Sequence, residues 1–181
     1  MTYAEYLAAE AVAEIRHEFL NGEVWEMAGG TVEHGALALA VAGELRAALR
    51  GKPCRAFSSD VRVRISETGL TTYPDVSIVC GQLETSPEDK DAITNPIVLV
   101  EVLSDSTEAY DRGAKAAHYR RIASLREYVL VAQSEPRIEV HRRTESGRWE
   151  LLEARPGEAI ELASLDVRLD VAAVYANPLA G

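Results

Sequence analysis

Residues 97–131 of the chain read IVLVEVLSDSTEAYDRGAKAAHYRRIASLREYVLV, and this stretch decides the fold class. Its first seven residues, 97–103, are apolar everywhere except at Glu101, which is typical of a buried strand. Ser104 to Ser106 can begin a helix of roughly 107–124, and a second apolar strand follows at 127–132. Two strands buried on both faces and joined by a helix predict a right-handed crossover between parallel strands.

The flanking sequence predicts further elements around this unit. They are helices at 3–10 and 32–50, strands at 54–66 and 75–80, hairpins at 17–28 and 136–153, and a short strand with a last helical turn at 165–176. Asn21-Gly22 is the signal for a tight turn in the first hairpin, and Thr31 can cap the long helix. The predicted fold is α+β in a single domain, 1–181: a mixed, mostly antiparallel sheet with a helix on its N-terminal side, a crossover helix and added β-hairpins.

Glu101 is anomalous, because an ionised carboxylate in a core is costly unless it is paired. A salt bridge or a position at a wet strand end would explain it. A third explanation follows if 75–80 and 97–103 pair in antiparallel fashion. Setting Val79 opposite Val98, for example, gives paired residue numbers that add up to about 177, so Asp75 falls opposite position 102, within one residue of Glu101. Any register that matches the two apolar runs brings the start of one strand to the end of the other. Two adjacent carboxylates raise each other's pKa unless a cation lies between them, and oxygen ligands suit Mg²⁺ or Mn²⁺.

The helix that follows Glu101 supplies a candidate third component, Lys115. Asp111, Lys115 and Tyr119 are spaced i, i+4, i+8 and share one face of a helix whose first turns begin beside the end of the Glu101 strand. An ammonium there could orient a water molecule or stabilise charge on a phosphoryl oxygen. The alternative is an ordinary surface ion pair between Asp111 and Lys115.

Composition sets broad limits on the function. The chain has 181 residues, a mass of 19.7 kDa and a net charge of −10. Residues 107–148 hold 9 basic and 6 acidic residues, so this stretch alone carries +3 and could face a polyanion. No basic segment precedes an apolar run at the N-terminus, and no apolar stretch approaches the roughly 20 residues that span a bilayer. We therefore expect a cytoplasmic protein without a membrane partner, with Cys54 and Cys80 as reduced thiols.

The ordered set of these motifs resembles the PD-(D/E)XK nuclease superfamily, and more closely its Uma-two family of restriction-endonuclease-like proteins. Pro74-Asp75 is similar to the PD dipeptide, VEVLS at 100–104 to the acidic strand, and DRGAKAAHYRRIASLREYVLV at 111–131 to the helix and strand that follow. RHEFLNGEVWEMAGGTVEHG at 16–35 and FSSDVRVRI at 57–65 extend the likeness. The superfamily pattern has a lysine two residues after the acid, where this chain has Leu103, and Lys115 is taken by its position to replace it.

The resemblance implies a restriction-endonuclease-like core and cleavage of DNA phosphodiester bonds with bound Mg²⁺ or Mn²⁺. It implies Asp75 and Glu101 as metal ligands, with the Val102 carbonyl as a further ligand and Lys115 as the catalytic lysine. Possible additional members of the site are Glu33, His34 and Asp60. Two other functions stay open, a catalytically inert binding or assembly module and a hydrolase of small phosphate esters. The hairpins could carry a homodimer contact, and Trp25 and Trp149 are interpreted as core or interface residues rather than as base-stacking platforms.

Overall fold

The computed structural model describes residues 1–27 and 29–177; Ala28, in the first predicted hairpin, lies outside the described residues. The strands of this part of the chain are β1 (His17–Leu20), β2 (Glu23–Glu26), β3 (Cys54–Ser58), β4 (Arg62–Ile65), β5 (Leu70–Thr72), β6 (Val76–Cys80), β7 (Ala92–Ile93), β8 (Val98–Val102), β9 (Glu127–Val131), β10 (Ile138–Arg143), β11 (Trp149–Ala154), β12 (Ala159–Leu162) and β13 (Val167–Asp170). The helices are α1 (Tyr3–Glu10), α2 (Val32–Ala48), α3 (Glu108–Tyr110), α4 (Ala116–Tyr119) and α5 (Val171–Val174), with a π-helical segment at Asp111–Lys115 between α3 and α4.

The central sheet has six strands in the order β11-β10-β9-β8-β6-β3. Neighbouring strands run antiparallel except for β8 and β9, which are parallel and joined by α3, the π-helical segment and α4. This confirms the α+β fold and the predicted crossover unit. A second sheet has the order β2-β1-β5-β4-β7, and β12 pairs with β13 alone.

The two faces of the six-stranded sheet form two separate cores. One face packs against α2, α5 and the β12–β13 pair, with Leu37, Val41 and Leu45 of α2 fully enclosed. The other face packs against the helical crossover and the five-stranded sheet, through residues such as Leu99 and Tyr128. Because side chains alternate along a strand, Glu101 of β8 points to this second core together with Leu99.

The register between β6 and β8 determines where the two candidate carboxylates lie. Val76 pairs with Val100 and Ile78 with Val98, so that paired residue numbers add up to 176, one less than predicted. Continuing this register places Asp75 directly opposite Glu101. The prediction that the two residues lie close together is thus correct, and the observed register sets them directly opposite each other rather than one residue apart.

Two predicted elements differ from the observed ones. The single strand expected at 54–66 is divided by a turn after Ser58, so β3 joins the six-stranded sheet and β4 the five-stranded one. The crossover helix ends at Tyr119 rather than at 124. Beyond this end, the Arg143 guanidinium donates hydrogen bonds to the carbonyls of residues 120, 122 and 123, which satisfies carbonyls that have left the helical pattern.

The expectation of reduced thiols is wrong, because Cys54 and Cys80 form a disulfide bond. The two residues are directly paired across the antiparallel strands β3 and β6. β3 is the edge strand next to β6 in the six-stranded sheet, and this register sets the two cysteines opposite each other. In the described part of the chain, no helix combines the length and apolar character needed to cross a bilayer.

Candidate active site

A cavity of about 460 Å³ opens where β6 begins and β8 ends. Residues from both sheets, from the start of α2 and from the helical crossover line it. The titratable side chains in its wall include five carboxylates, one ammonium and one imidazole: Glu18, Glu26, Asp75, Glu101, Asp111, Lys115 and His34. The cavity therefore joins Asp75, Glu101 and Lys115, the three residues on which the predicted site depends.

Asp75 lies at the residue just before β6, where Pro74 precedes it in the chain. Its Oδ2 accepts a hydrogen bond of 2.7 Å from the backbone N–H of Val102, which ties the start of β6 to the end of β8. His34, from the first turn of α2, brings Nε2 to 3.4 Å from the same oxygen. This contact with Asp75 raises the pKa of His34, against the effect of its partial burial.

Glu101 is the buried acid of the site, with 5% of its surface exposed. Its Oε1 accepts a hydrogen bond of 2.6 Å from the Tyr119 hydroxyl and lies 3.0 Å from Nζ of Lys115. Burial raises the pKa of Glu101 to about 8, with Lys115 opposing and the charges of Asp75 and Asp111 adding to the rise. Its carboxyl group is thus ready to bind a proton or a cation at neutral pH.

Lys115 ends the π-helical segment and contacts three carboxylates from three different elements. Its Nζ lies 3.0 Å from Glu101, 3.3 Å from Asp111 Oδ1 and 3.4 Å from Glu18 Oε1. Burial alone would lower the pKa of Lys115, but these three acids together raise it well above the ordinary value. Lys115 is therefore a cation, and the surface ion pair considered as an alternative is in fact a buried cluster.

Glu18 is a member of this cluster that the sequence analysis did not identify. It lies on β1 and is 3% exposed. The Thr72 hydroxyl donates to Oε1, while the Trp25 indole N–H, at 3.1 Å, and the Tyr110 hydroxyl, at 3.2 Å, donate to Oε2. A glutamate in a short hairpin strand is usually solvated, so only the packing of the two sheets could have identified it.

The other predicted members of the site lie in different surroundings. Val102 lines the cavity. Glu33 is exposed in the first turn of α2 and does not line the cavity, and Asp60 is exposed and paired with Arg16. Leu103, at the usual position of the superfamily lysine, is 2% exposed and packs in the second core, so an apolar side chain fills this position.

The donor set of the cavity suits a hard divalent cation. Glu18, Glu26, Asp75, Glu101 and Asp111 face a single ammonium, that of Lys115, so acidic groups outnumber basic ones in the wall of the cavity. Asp75 Oδ1 and Glu101 Oε2 accept no hydrogen bond from the described residues. Those residues contain no group of three or more His, Cys, Asp or Glu already arranged around a metal position. The chemistry of the ligands fits Mg²⁺ or Mn²⁺, with the Lys115 ammonium beside the cation position.

Comparison with known proteins identifies relatives over almost the whole chain. The profile of the Uma2 family, described as "Putative restriction endonuclease", matches residues 3–172. Two uncharacterized proteins of Synechocystis sp. are each 33% identical to the chain: one over 94% of the chain and 89% of its own length, the other over 90% and 91%. A crystal structure from Anabaena variabilis, titled as a putative nuclease belonging to DUF820, has the same fold, with a TM-score of 0.78 and 14% identity over 97% of this chain and 98% of that one.

Proposed function

The chain belongs to the Uma2 family of restriction-endonuclease-like proteins, and on that premise we propose that it is a metal-dependent nuclease that hydrolyses DNA phosphodiester bonds. The observation that carries the proposal is the juxtaposition of Asp75 and Glu101 in a cavity with excess negative charge. Buried acids that outnumber the ammonium beside them, as Glu18, Glu101 and Asp111 do, are stable only if protons or a further cation compensate them. A divalent cation would supply that compensation and the chemistry together.

Asp75 and Glu101 would hold the ion, with the Val102 carbonyl as a further ligand. When bound, Mg²⁺ or Mn²⁺ polarises a phosphoryl oxygen and lowers the pKa of coordinated water. The hydrogen bond from the Val102 N–H and the contact with His34 fix the orientation of Asp75. Tyr119 fixes Glu101 in the same way. These contacts restrict the side-chain motion that would otherwise oppose ion binding.

Lys115 would act on the phosphate rather than on the metal. Its ammonium lies on the cavity wall 3.0 Å from Glu101, so a phosphate held in the cavity beside Glu101 would come within its reach. There it would donate hydrogen bonds to a phosphoryl oxygen as negative charge develops. Because Leu103 is packed in the core, the cation beside Glu101 comes from the helical crossover, as Lys115, and not from β8.

A cleavage assay tests the proposal. Supercoiled and single-stranded DNA are incubated with the protein and Mg²⁺ or Mn²⁺, beside Asp75→Ala, Glu101→Ala and the control Asp60→Ala, which removes an exposed acid outside the cavity. We expect cleavage by the wild type and by Asp60→Ala, none above background by the two site variants, and none with a chelator. Equal cleavage by all four proteins would refute the site assignment.

The charge of the molecule favours one alternative, hydrolysis of a small phosphate ester. A net charge of −10 repels a polyanion, whereas a small ester carries little charge into the cavity. Parallel assays with a mononucleotide and with bis(p-nitrophenyl) phosphate separate the two functions. Turnover of these esters without DNA cleavage would favour the alternative, and absence of metal binding by calorimetry would favour an inert module. The predicted homodimer involves a second chain and stays a prediction.

A further inference from the structure

Two aromatic side chains form a wall of the cavity that the proposed chemistry does not use. Trp25 of β2 and Tyr110 at the end of α3 both line the cavity, and each is only partly buried. Both donate a hydrogen bond to the same oxygen, Oε2 of Glu18, at 3.1 and 3.2 Å. The other oxygen of Glu18 is bound by Thr72 and lies 3.4 Å from Lys115. The buried carboxylate therefore fixes two rings beside the cavity.

The charge of the cavity limits how a nucleic acid can be held there. Among the described residues that line it, Lys115 is the one lysine or arginine, and three carboxylates surround that ammonium. Nucleic-acid affinity usually comes from phosphates neutralised by several basic side chains. This cavity can supply little of that term, so a bound strand needs another source of free energy. Stacking on aromatic rings is such a source, since every base has a π-face and the contact carries no charge.

The size of the cavity points to an unpaired nucleotide. A volume of about 460 Å³ lies within the roughly 300–1,000 Å³ of pockets that enclose small molecules. The bases of a duplex are stacked inside it and reach such a pocket only if they are extruded, at a cost of a few kcal/mol. A single strand offers its bases without that cost.

We propose that Trp25 and Tyr110, fixed by Glu18, form a stacking wall for an unpaired base, so that the DNA substrate is single-stranded where it enters the site. This inference rests on the proposed function, because it names the substrate class of the same cavity. It also revises the interpretation of Trp25 as a purely core or interface residue. Trp25 packs against the second core as expected, and it lines the cavity as well.

Binding measurements separate the inference from the cleavage chemistry. Fluorescence anisotropy is recorded with a labelled eight-residue oligothymidylate, with an oligomer of equal length in which tetrahydrofuran spacers replace the nucleosides, and with a duplex of equal length. Ca²⁺ replaces Mg²⁺, and gels check that the oligomers stay intact. The variants are Trp25→Leu, Trp25→Phe and the control Trp149→Leu, which changes the tryptophan of the other hairpin.

Stacking contributes about 1–3 kcal/mol per base, so Trp25→Leu should bind oligothymidylate about 5- to 150-fold more weakly. Trp25→Phe keeps an aromatic ring and should recover much of the affinity, and Trp149→Leu should match the wild type within about threefold. Neither the spacer oligomer nor the duplex should bind the wild type as tightly as oligothymidylate. In a Trp149→Phe background, where Trp25 is the single tryptophan, oligothymidylate should quench the fluorescence and the spacer oligomer should not.

Equal affinity of the wild type for the oligothymidylate and the spacer oligomer would overturn the inference. The inference would also be overturned if Trp25→Leu binds oligothymidylate as tightly as the wild type, provided that its unfolding temperature equals that of the wild type and so shows that it is folded. If Trp25→Leu fails to fold, Trp25→Phe and the quenching of the single tryptophan still decide the question. If the protein cleaves DNA but the bases contribute nothing to affinity, the proposed function is retained and the stacking wall is refuted. If the bases contribute to affinity but no DNA is cleaved, the stacking wall is retained and the proposed function is refuted.

Discussion

Replacement of Lys115 by methionine tests the electrostatic account of the site most directly. Methionine has nearly the same length, so the substitution removes the charge while preserving most of the packing. The ammonium lies 3.3 Å from Asp111 and 3.4 Å from Glu18, besides its contact with Glu101. With the pKa of Glu101 at about 8, that group is largely protonated at pH 7, and the other two acids lose their compensating charge.

Removing one partner from a buried ion pair typically costs about 3–5 kcal/mol, because the remaining charge stays buried without compensation. For a domain of this size each kcal/mol lowers the melting temperature by roughly 2–4 °C, so Lys115→Met should melt about 6–20 °C below the wild type at pH 7. The control Lys52→Met removes an ammonium paired with the exposed Asp166, and its cost should be about 0–1 kcal/mol. Thermal unfolding by circular dichroism, with a chelator present, measures both.

Two further measurements show whether Lys115→Met is destabilised by the loss of charge compensation or only by the loss of packing. The deficit should grow from pH 7 to pH 9, because Glu101 ionises above its pKa of about 8 in the wild type, where Lys115 compensates the charge, and lacks that compensation in the variant; a variant that lost only packing would show the same deficit at both pH values. Mg²⁺ should bind Lys115→Met at least as tightly as the wild type by calorimetry, because the substitution removes a positive charge beside the ion, while DNA cleavage falls. A loss below 1 kcal/mol at pH 7, or weaker Mg²⁺ binding, would refute the reasoning.

Two predictions concern other parts of the molecule. Because burial holds the pKa of Glu101 near 8 in the folded protein, against an ordinary 4.5, its contribution to stability is complete at low pH and is lost as the pH rises through 8. In metal-free protein, urea denaturation should therefore show the free energy of unfolding falling between about pH 5 and pH 8, and Glu101→Gln should abolish that part of the slope; an unchanged slope would contradict the raised pKa. The disulfide closes a chain segment of 26 residues, so Cys54→Ser with Cys80→Ser should lower the free energy of unfolding by roughly 3–4 kcal/mol. The unreduced protein should show no free thiol by titration, and two titratable thiols would contradict the bond.

The local pattern of the sequence was enough to predict the crossover unit and the meeting of Asp75 with Glu101. Apolar runs of five to seven residues identify both strands, and few pairing registers set two such runs opposite each other. The sequence left the register open by one residue, because Val79 and Val98 are both apolar and have apolar neighbours. The hydrogen bond from the N–H of Val102 to Asp75 is a polar contact that favours the observed register.

The remaining features depend on contacts between distant parts of the chain. Glu18 belongs to the site only because the five-stranded sheet packs beside the helical crossover, which no pattern in HEFL indicates. The π-helical segment was likewise not predicted, because the sequence DRGAK is compatible with an ordinary helix. π-Helical turns are frequent at functional sites, and here one ends at Lys115, with Asp111 and Lys115 both buried.

The position of the lysine shows why spacing alone can mislead. Residue 103 lies on the same side of β8 as Glu101, because side chains repeat every two residues along a strand. A lysine there would reach the acid along the strand, but in this chain Leu103 packs into the second core. Lys115 reaches Glu101 from the helix that covers the same face, and its ammonium lies 3.0 Å from the carboxylate. The chemistry requires an ammonium at a point in space, so any element that covers this face of β8 can supply it, and the motif is defined by geometry rather than by the number of residues between acid and base.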